Sequence, residues 1–440
     1  MDEMRVLTKY RDVVGQSKID VYESNGGYQG LRKALGKINP SQLIEAVQYS
    51  ELRGRGGAGF QTGKKWGFIP KDAPAKYLVC NCDESEPGAF KDRLLIETDP
   101  HQLIEGIILS SYAIGARVAF IYCRGEYFLG ITKLRKAVLE AKSKGYLGNN
   151  ILGSGFDLTI VVHPGAGAYI AGEETAQLNS LEGYRATPRL KPPFPAIKGL
   201  YNCPTVVNNV ETLCNVVHIV NNGAEWFRSI GKPHNTGTKI FQVSGQIQRP
   251  GCYELPLGVS LKDVLDFAGG MLPGRKFKAC YPGGSSCTLL TENHLNLSMD
   301  FESLLSVNSA LGTASIIVMD DSADMVKVAT RLMEFYQNES CGKCTPWREG
   351  TRWIVQVLSR IEAGRGVYSD LDMIDQVCTT MGANSFCPLA AGAALPIISA
   401  IAEFKDEFKD YIRRNPGAEE VPEMKVSYPY LVNKQMIVIK

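Results

Sequence analysis

The chain has 440 residues, of which 44% are hydrophobic and 21% are charged, the proportions of an ordinary folded protein. That length predicts about two to four domains, each with its own core. Lysine plus arginine number 48 and aspartate plus glutamate 46, and the resulting net charge of +2 gives no electrostatic reason to expect a nucleic-acid partner.

The sequence gives no sign of direct membrane insertion. The first eight residues are charged and lead into polar sequence, so we expect no signal peptide. Two long apolar stretches, 103–123 and 386–402, contain charges or prolines, and we interpret both as core helices. Without a signal peptide, the twelve cysteines are expected to be reduced thiols or metal ligands.

From residue 40 to about residue 231, helical and strand-like patterns alternate. We predict helices at 43–52, 103–115, 131–144 and 172–182, and strands at 76–80, 118–123 and 158–163. Strands that alternate with helices predict a largely parallel sheet covered on both faces.

The pattern changes after residue 235. Strand patterns at 239–245, 251–255 and 277–281, with a helix at 260–268, indicate a small α+β module. Helical patterns at 323–337, 347–363, 371–381 and 388–409 then predict a bundle. We therefore divide the chain into an α/β domain (1–235), the small module (236–322), the helical bundle (323–414) and a C-terminal tail without an assigned function (415–440).

A glycine-rich loop, residues 54–60 (GRGGAGF), is the first candidate for a cofactor site. It matches G-x-G-x-x-G, but a helix precedes it where the Rossmann fingerprint needs a strand, so we reject that interpretation. The loop lies among Arg53, Arg55, Lys64 and Lys65, and such a loop suits a phosphate group. A flexible surface turn is the alternative.

A second glycine loop, residues 164–172, follows a predicted strand and leads into a helix, which is the context of an anion or cofactor site. Glu173 and Glu174 would favour the helix dipole, and helix stabilisation alone is the alternative to a cofactor contact.

Polar residues also follow the predicted strand at 76–80. The segment 81–88 (NCDESEPG) belongs to the carboxyl ends of parallel strands, where ligands bind. Its three carboxylates suit ribose or ribityl hydroxyls and disfavour a 2′-phosphate, although a solvated loop would look the same. Asn208 and Asn209 lie in an apolar segment and must find hydrogen-bond partners, either structural ones or a cofactor.

The C-terminal part carries most of a metal site. Cys341 and Cys344 have C-x-x-C spacing, and Cys387 stands directly before Pro388. Thiolates in this arrangement hold iron–sulfur clusters. The next step of the same length falls on Trp347, whose indole nitrogen is only a donor and cannot bind iron.

Six segments, taken together and in this order, resemble those of the NADH-binding flavoprotein subunit of respiratory complex I. They are 52–63 (LRGRGGAGFQTG), 81–93 (NCDESEPGAFKDR), 165–178 (GAGAYIAGEETAQL), 191–196 (KPPFPA), 204–213 (PTVVNNVETL) and 339–350 (ESCGKCTPWREG). The resemblance covers nearly the whole chain. Diaphorase subunits of NAD-linked hydrogenases and formate dehydrogenases share these segments, and the lack of long extra domains favours complex I.

The resemblance implies an α/β FMN-binding domain of non-standard Rossmann-like fold, a ubiquitin-like β-grasp module of SLBB type, and a four-helix bundle with a [4Fe–4S] cluster. It implies NADH dehydrogenase activity without a catalytic acid or base from the protein. The implied FMN-binding residues are Gly54, Arg55, Gly56, Gly57, Lys65, Asn81, Asp83, Tyr169, Gly172, Glu173, Asn208, Asn209 and Thr212. The implied NADH contacts are Phe60, Phe68, Glu86, Glu174, Lys191 and Phe194. The implied metal ligands are Cys341, Cys344 and Cys387, and the family has a cysteine in place of Trp347.

The resemblance also implies partners and a location. The partners would be a thioredoxin-like [2Fe–2S] subunit and an iron–sulfur relay subunit of complex I, which would hold the chain at the cytoplasmic side of the inner membrane. Two alternatives stay open: a diaphorase subunit of a hydrogenase or formate dehydrogenase, or a structural subunit with an impaired relay. The cluster site itself is either incomplete, with Cys378 as a conceivable substitute ligand, or empty of iron.

Overall fold

The computed structural model describes residues 3–419. They form two compact units. The first consists of the chain up to Ser85 together with Ala89–Gln242 and Cys252–Val259, and the second of Glu86–Gly88, Val243–Gly251 and the chain from Ser260. Most of the predicted C-terminal tail, from residue 420, lies outside the described residues.

The first unit combines a small parallel sheet with helices. Its helices are α1 (Ile19–Ser24), α2 (Gln29–Lys37), α3 (Pro40–Tyr49), α4 (Thr62–Gly67), α5 (Lys91–Thr98), α6 (Pro100–Ile114), α7 (Phe128–Ser143), α8 (Glu174–Leu181), α9 (Pro195–Lys198), α10 (Val210–Asn222) and α11 (Ala224–Arg228). Its strands are β1 (Tyr77–Cys82), β2 (Val118–Cys123), β3 (Thr159–Pro164), β4 (Thr205–Asn209) and the short pair β5 (Gly231–Lys232) and β6 (Asn235–Thr236).

The main sheet has the order β3–β2–β1–β4, and all its strands are parallel. Successive residues of β1 alternate between two cores: Leu78 and Cys80 pack with one group of apolar residues and Val79 with another. Apolar side chains on both faces are typical of parallel strands covered by helices. The prediction of a parallel sheet covered on both faces is confirmed, although β4 and α10 were not among the predicted elements.

The second unit contains the remaining elements, of which the first two strands have residues in both units. The strands are β7 (Thr238–Gly245), β8 (Gly251–Pro256), β9 (Phe277–Tyr281), β10 (Leu290–Thr291) and β11 (Ser315–Asp320), in the order β10–β9–β11–β7–β8. The helices are α12 (Leu261–Phe267), α13 (Phe301–Ser306), α14 (Met325–Asn338), α15 (Thr345–Glu362), α16 (Ser369–Asn384), α17 (Pro388–Glu403) and α18 (Lys405–Ile412).

The predicted helix at 388–409 is wrong in one respect, because two helices occupy this segment. α17 and α18 are bent by 80° at Phe404, whose backbone (φ −125°, ψ 35°) is not helical. Asp406 and Glu407 lie in the first turn of α18, where acidic residues favour a new helix N-terminus. Within residues 3–419, no single helix is both long and apolar enough to cross a membrane; only α17 and α18 together meet that criterion, by length and composition.

Candidate functional site

The first glycine loop forms a tight turn between α3 and α4. The backbone N–H of Gly54 donates to the carbonyl of Phe60 at 2.8 Å. A Cβ atom on Gly56 would lie 2.8 Å from Cβ of Asn209, whereas one on Gly57 would meet no atom within 4 Å. Gly57 also has a φ of +144°, a conformation that favours glycine. The loop therefore packs against the end of β4 at Gly56 and is open at Gly57.

The side chain of Arg55 points into the protein. It is fully buried, and its guanidinium donates to the carbonyls of Arg53 (2.9 Å), Thr236 (2.7 Å) and Thr238 (3.1 Å). The backbone N–H of Arg55 donates to Oγ1 of Thr212 at 2.8 Å. Burial lowers the pKa of the guanidinium to about 10. Arg55 thus fixes the loop through its guanidinium and through its backbone N–H, which is already donated to Thr212.

The predicted polar residues of β1 and β4 meet at the carboxyl edge of the sheet. Asn81 and Asn209 are partners in register, and Nδ2 of Asn209 donates to the carbonyl of Asn81 at 3.4 Å. Nδ2 of Asn81 donates to the carbonyl of Gly172 at 2.8 Å, and its Oδ1 accepts from the backbone N–H of Asp83 at 3.1 Å. One amide therefore joins the sheet, the acidic segment and the second glycine loop.

Asn208 is held by a residue that sequence reasoning missed. Its Oδ1 accepts from the indole N–H of Trp66 at 2.8 Å, and both side chains are buried. Trp66 lies on α4, directly after the first glycine loop, so this bond ties the loop to the end of β4. The signal in the sequence was a large aromatic residue next to Lys65. Nζ of Lys65 also reaches β4, where it donates to the carbonyl of Val207 at 2.9 Å.

The second glycine loop ends in a 3₁₀ turn, Tyr169–Gly172, ahead of α8. Glu173 is the N-cap of α8, and its carboxylate accepts from the backbone N–H groups of Thr175 and Ala176, both at 2.9 Å. The helix-stabilising role considered for Glu173 is thus present. Its contact with FMN stays a prediction.

A cluster of ion pairs connects the predicted FMN and NADH residues. The carboxylate of Glu174 lies 3.1 Å from Nζ of Lys65 through one oxygen and 2.9 Å from Nζ of Lys191 through the other. Nζ of Lys191 is also 3.0 Å from Glu173. Burial raises the pKa of Glu174, but the two ammonium groups outweigh it and hold the pKa at about 2. Glu174 is therefore an anion at neutral pH and can accept hydrogen bonds from hydroxyl groups.

Two aromatic rings lie at the end of the first loop and on the end of α4. The ring centroids of Phe60 and Phe68 are 6.1 Å apart with the planes tilted by 46°, and Phe68 is 49% exposed. An exposed ring face suits stacking of adenine or nicotinamide. Phe194, the third predicted aromatic contact, is the N-cap of α9, on a separate segment that begins at Lys191.

Asn209 is bonded to a buried charge cluster that sequence reasoning also missed. Nδ2 of Asn209 donates to Asp92 at 2.6 Å, and its Oδ1 accepts from Nζ of Lys91 at 3.1 Å. Nζ of Lys91 is 2.7 Å from Asp92 and 3.2 Å from Glu211, which also accepts from Nζ of Lys239. These four charged side chains are at most 4% exposed.

In the buried charge cluster, the opposite charges offset the effect of burial on each other's pKa. Burial lowers the pKa of Lys239 to about 8, and the neighbouring carboxylate of Glu211 opposes that effect. Burial also raises the pKa of Glu211, but the cations Lys239, Lys91 and Arg55 outweigh it and the pKa is lowered. The signal was available in the sequence, since Glu211 stands within an apolar segment and Lys239 directly precedes Ile240 and Phe241.

These residues of the first unit fit a phosphorylated flavin. The space beside Gly57 is open, and Lys65 supplies a cation whose side chain is 27% exposed. The hydroxyl of Thr62, at the start of α4, is buried and has no hydrogen-bond partner among the described residues. Asn81 and Asn209 add amide groups at the same sheet edge.

Glu86, the remaining predicted NADH contact, belongs to the second unit. Its carboxylate accepts from the backbone N–H of Ser286 at 2.8 Å and from Oγ of Ser285 at 3.3 Å. A Cβ atom on Gly284 would lie 2.4 Å from Cγ of Glu86. A turn of small residues therefore fits closely around this side chain.

Two of the predicted cluster cysteines lie at helix N-termini of the second unit, and Cys341 lies in the turn between α14 and α15. Cys344 is the N-cap of α15 and Cys387 the N-cap of α17, and Nζ of Lys343 lies 4.8 Å from the ring centroid of Phe386. The C-x-x-C turn is thus beside the segment of Cys387. Within residues 3–419, however, no group of three or more His, Cys, Asp or Glu residues is placed to hold a metal ion. The three-cysteine site stays a prediction.

Three parts of the chain match known protein families. Residues 47–218 match the family described as the Nuo51 FMN-binding domain, 240–289 the SLBB domain, and 327–411 the NADH-ubiquinone oxidoreductase-F iron-sulfur binding region. The chain is 54% identical over 415 residues to an F subunit of NADH-quinone oxidoreductase from Rhizobium meliloti, a match that covers 93% of this chain and 99% of that protein. The chain belongs to the family of NADH-quinone oxidoreductase F subunits.

Other members of this family match over a similar length. The chain is 48% identical to the NADH-quinone oxidoreductase F subunit of Escherichia coli over 400 residues, which are 90% of each protein. Among solved structures, an NAD⁺-reducing [NiFe]-hydrogenase in the H₂-reduced state is similar with a TM-score of 0.82 and 36% identity, over 93% of this chain and 67% of that one. The resemblance found in the sequence is confirmed, and the chain has a mixed α/β fold with an FMN-binding domain, an SLBB domain and an iron–sulfur binding region.

Proposed function

We propose that the chain is the electron-input subunit of an NADH:quinone oxidoreductase, which oxidises NADH at an FMN site in its first unit. Bound FMN would supply the chemistry, since flavins exchange a hydride with nicotinamides and single electrons with metal clusters. The observation that carries the proposal is the junction at the carboxyl edge of the sheet, where Asn81 joins β1 to the second glycine loop and Asn209 contacts the first. Family membership supports the same activity.

The chain's own residues would bind and orient both nucleotides. For FMN, the open backbone at Gly57 leaves room for the cofactor, and Lys65 offers a cation for its phosphate. The other FMN residues are those named from the sequence, of which Arg55 fixes the loop and Thr212 accepts its backbone N–H.

For NADH, Phe60 and Phe68 would stack on a ring of the nucleotide, and the anion Glu174 would accept hydrogen bonds from ribose hydroxyls. Lys191 holds Glu174 in place. No side chain needs to act as a general acid or base.

We also propose a domain organisation and a set of partner subunits. Residues 1–235 would be the FMN and NADH domain, with a non-standard Rossmann-like fold. Residues 236–322 would be the ubiquitin-like module and 323–414 the iron–sulfur bundle. A thioredoxin-like [2Fe–2S] subunit and an iron–sulfur relay subunit would be the partners that hold the chain at the cytoplasmic side of the inner membrane.

A second candidate is the diaphorase subunit of an NAD-linked hydrogenase, which the likeness to the NAD⁺-reducing [NiFe]-hydrogenase supports. The match over 99% of an NADH-quinone oxidoreductase F subunit favours the first candidate. Affinity purification of the tagged chain from its own cells separates them: a quinone-reducing membrane complex supports the first, and a hydrogenase catalytic subunit the second.

The activity is tested on the full chain reconstituted with FMN. NADH should bleach the flavin absorbance under anaerobic conditions, and NADPH should do so far more slowly. Glu174→Gln should weaken NADH binding about tenfold, because a charge-assisted hydrogen bond contributes about 1.5 kcal/mol. Glu45→Gln, an exposed change on α3, is the matched control. A chain that binds no FMN, or whose bound FMN NADH does not reduce, would show the proposal to be wrong.

A further inference from the structure

Trp347 has a structural role at the position where the family has a cluster ligand. Its side chain is 1% exposed, and its indole N–H donates to the carbonyl of Tyr336 at 3.1 Å. Tyr336 lies in the last turn of α14, where carbonyls have no partner within the helix. The indole, on the first turn of α15, therefore donates a hydrogen bond to one of the C-terminal carbonyls of α14.

This arrangement does not fit a cluster bound by four cysteines. An indole nitrogen offers no lone pair to iron, and the proton of this one is already donated. Cys378 does not complete the site, because it lies within α16 and no group of three or more His, Cys, Asp or Glu residues within residues 3–419 is placed to hold a metal ion.

The C-x-x-C turn is also held by the protein's own bonds. The guanidinium of Arg348, on α15, donates to the carbonyl of Gly342 at 2.6 Å, and its backbone N–H donates to the carbonyl of Cys344 at 3.0 Å. Gly342 has a φ of +78°, and its N–H donates to Oγ of Ser340 at 3.3 Å. These contacts fix the conformation of the turn.

We propose that Trp347 is a packing residue in place of a cluster ligand, so that this chain assembles no four-cysteine [4Fe–4S] cluster and its helical bundle folds without iron. Electrons from the flavin site would then leave the chain by a route that includes no such cluster. The inference goes beyond the proposed function, since it concerns the second unit and holds whichever reductant is used.

The test compares the full chain with Trp347→Cys and Trp347→Ser, which have the same size but differ in the thiol. Each is reconstituted anaerobically with ferrous iron and sulfide, desalted and reduced with dithionite, and its iron content and low-temperature EPR spectrum are measured. We expect a [4Fe–4S]⁺ signal with a full complement of iron only in Trp347→Cys. Thermal unfolding of the wild type with and without an iron chelator should give the same midpoint.

Each possible result either supports the proposed role of Trp347 or overturns it. A [3Fe–4S]⁺ signal in the oxidised wild type supports it, because a cluster held by three thiolates readily loses the iron that has no cysteine. A wild-type [4Fe–4S]⁺ signal and iron content equal to those of Trp347→Cys would overturn it, as would a wild-type midpoint that falls when iron is removed. If Trp347→Cys does not fold, the wild-type EPR and chelator measurements still decide. Because dithionite reduces a cluster without NADH, the result does not depend on whether the NADH site works.

Discussion

The buried charge cluster beside the predicted flavin site gives the strongest prediction, for the change Glu211→Gln. The carboxylate of Glu211 is fully buried, contacts Nζ of both Lys91 and Lys239, and accepts from the backbone N–H of Ile240 at 2.9 Å. Glutamine keeps the shape and removes the charge, so Lys91 would keep the carboxylate of Asp92 and Lys239 would lose its ion pair.

The magnitude follows from the distances and burial. At 3.2 Å from Lys91, a unit charge contributes about 5 kcal/mol of attraction with an effective dielectric constant of about 20, before dehydration is subtracted. Removing one member of a buried pair costs about 3–5 kcal/mol, because the partner stays buried without compensation. We expect Glu211→Gln to lower the free energy of unfolding by about 3–5 kcal/mol.

Urea unfolding at pH 7, followed by tryptophan fluorescence, measures this change. Adding Lys239→Met to Glu211→Gln removes one charge of each sign, so the double variant should lose less stability than the sum of the two single variants. Asp266→Asn is the control for an exposed pair, since Lys262 and Asp266 are both more than half exposed, and it should unfold like the wild type. Additive single changes, or a Glu211→Gln variant as stable as the wild type, would refute the reasoning.

Three further changes test the site around this cluster. Gly56→Ala would place Cβ 2.8 Å from Cβ of Asn209 and should abolish FMN retention on gel filtration, whereas Gly67→Ala, whose Cβ meets no atom within 4 Å, should retain it. Trp66→Phe leaves the buried Oδ1 of Asn208 without its donor and should cost about 1–3 kcal/mol in urea unfolding; a neutral result would contradict this role. The folded pKa of Glu174, about 2, lies below its ordinary value of 4.5, so its contribution is present above pH 4.5 and is lost as the pH falls toward 2. The unfolding midpoint of the wild type should therefore fall more steeply over that range than that of Glu174→Gln, and parallel pH profiles would argue against it.

The sequence predicts those parts of the fold whose signal is local. The strands Val118–Cys123 and Phe277–Tyr281 have the predicted bounds, because β-branched and aromatic residues dominate the first, aromatic residues begin and end the second, and charged residues or proline flank both. β4 was missed, since it has only five residues and ends in two asparagines that indicate a polar site. Its pairing with β1 depends on a contact more than a hundred residues apart in the chain.

The direction of a side chain was the main feature of the site that the sequence could not predict. Arg55 stands among other cations in a glycine loop, and residue type alone suggests that its guanidinium faces a phosphate. The structure turns it inward to backbone carbonyls, and only tertiary contacts determine this choice. Lys65 and Glu174, by contrast, were both assigned to the site, and their ion pair places them together.

The partners of Arg55 also determine when the flavin site can form during synthesis. Two of its three carbonyl acceptors, Thr236 and Thr238, come 181 and 183 residues later in the chain. A nascent chain, or a fragment cut at residue 235, would expose the loop sequence but lack the groups that hold it. We therefore expect a fragment that retains FMN to extend past residue 238.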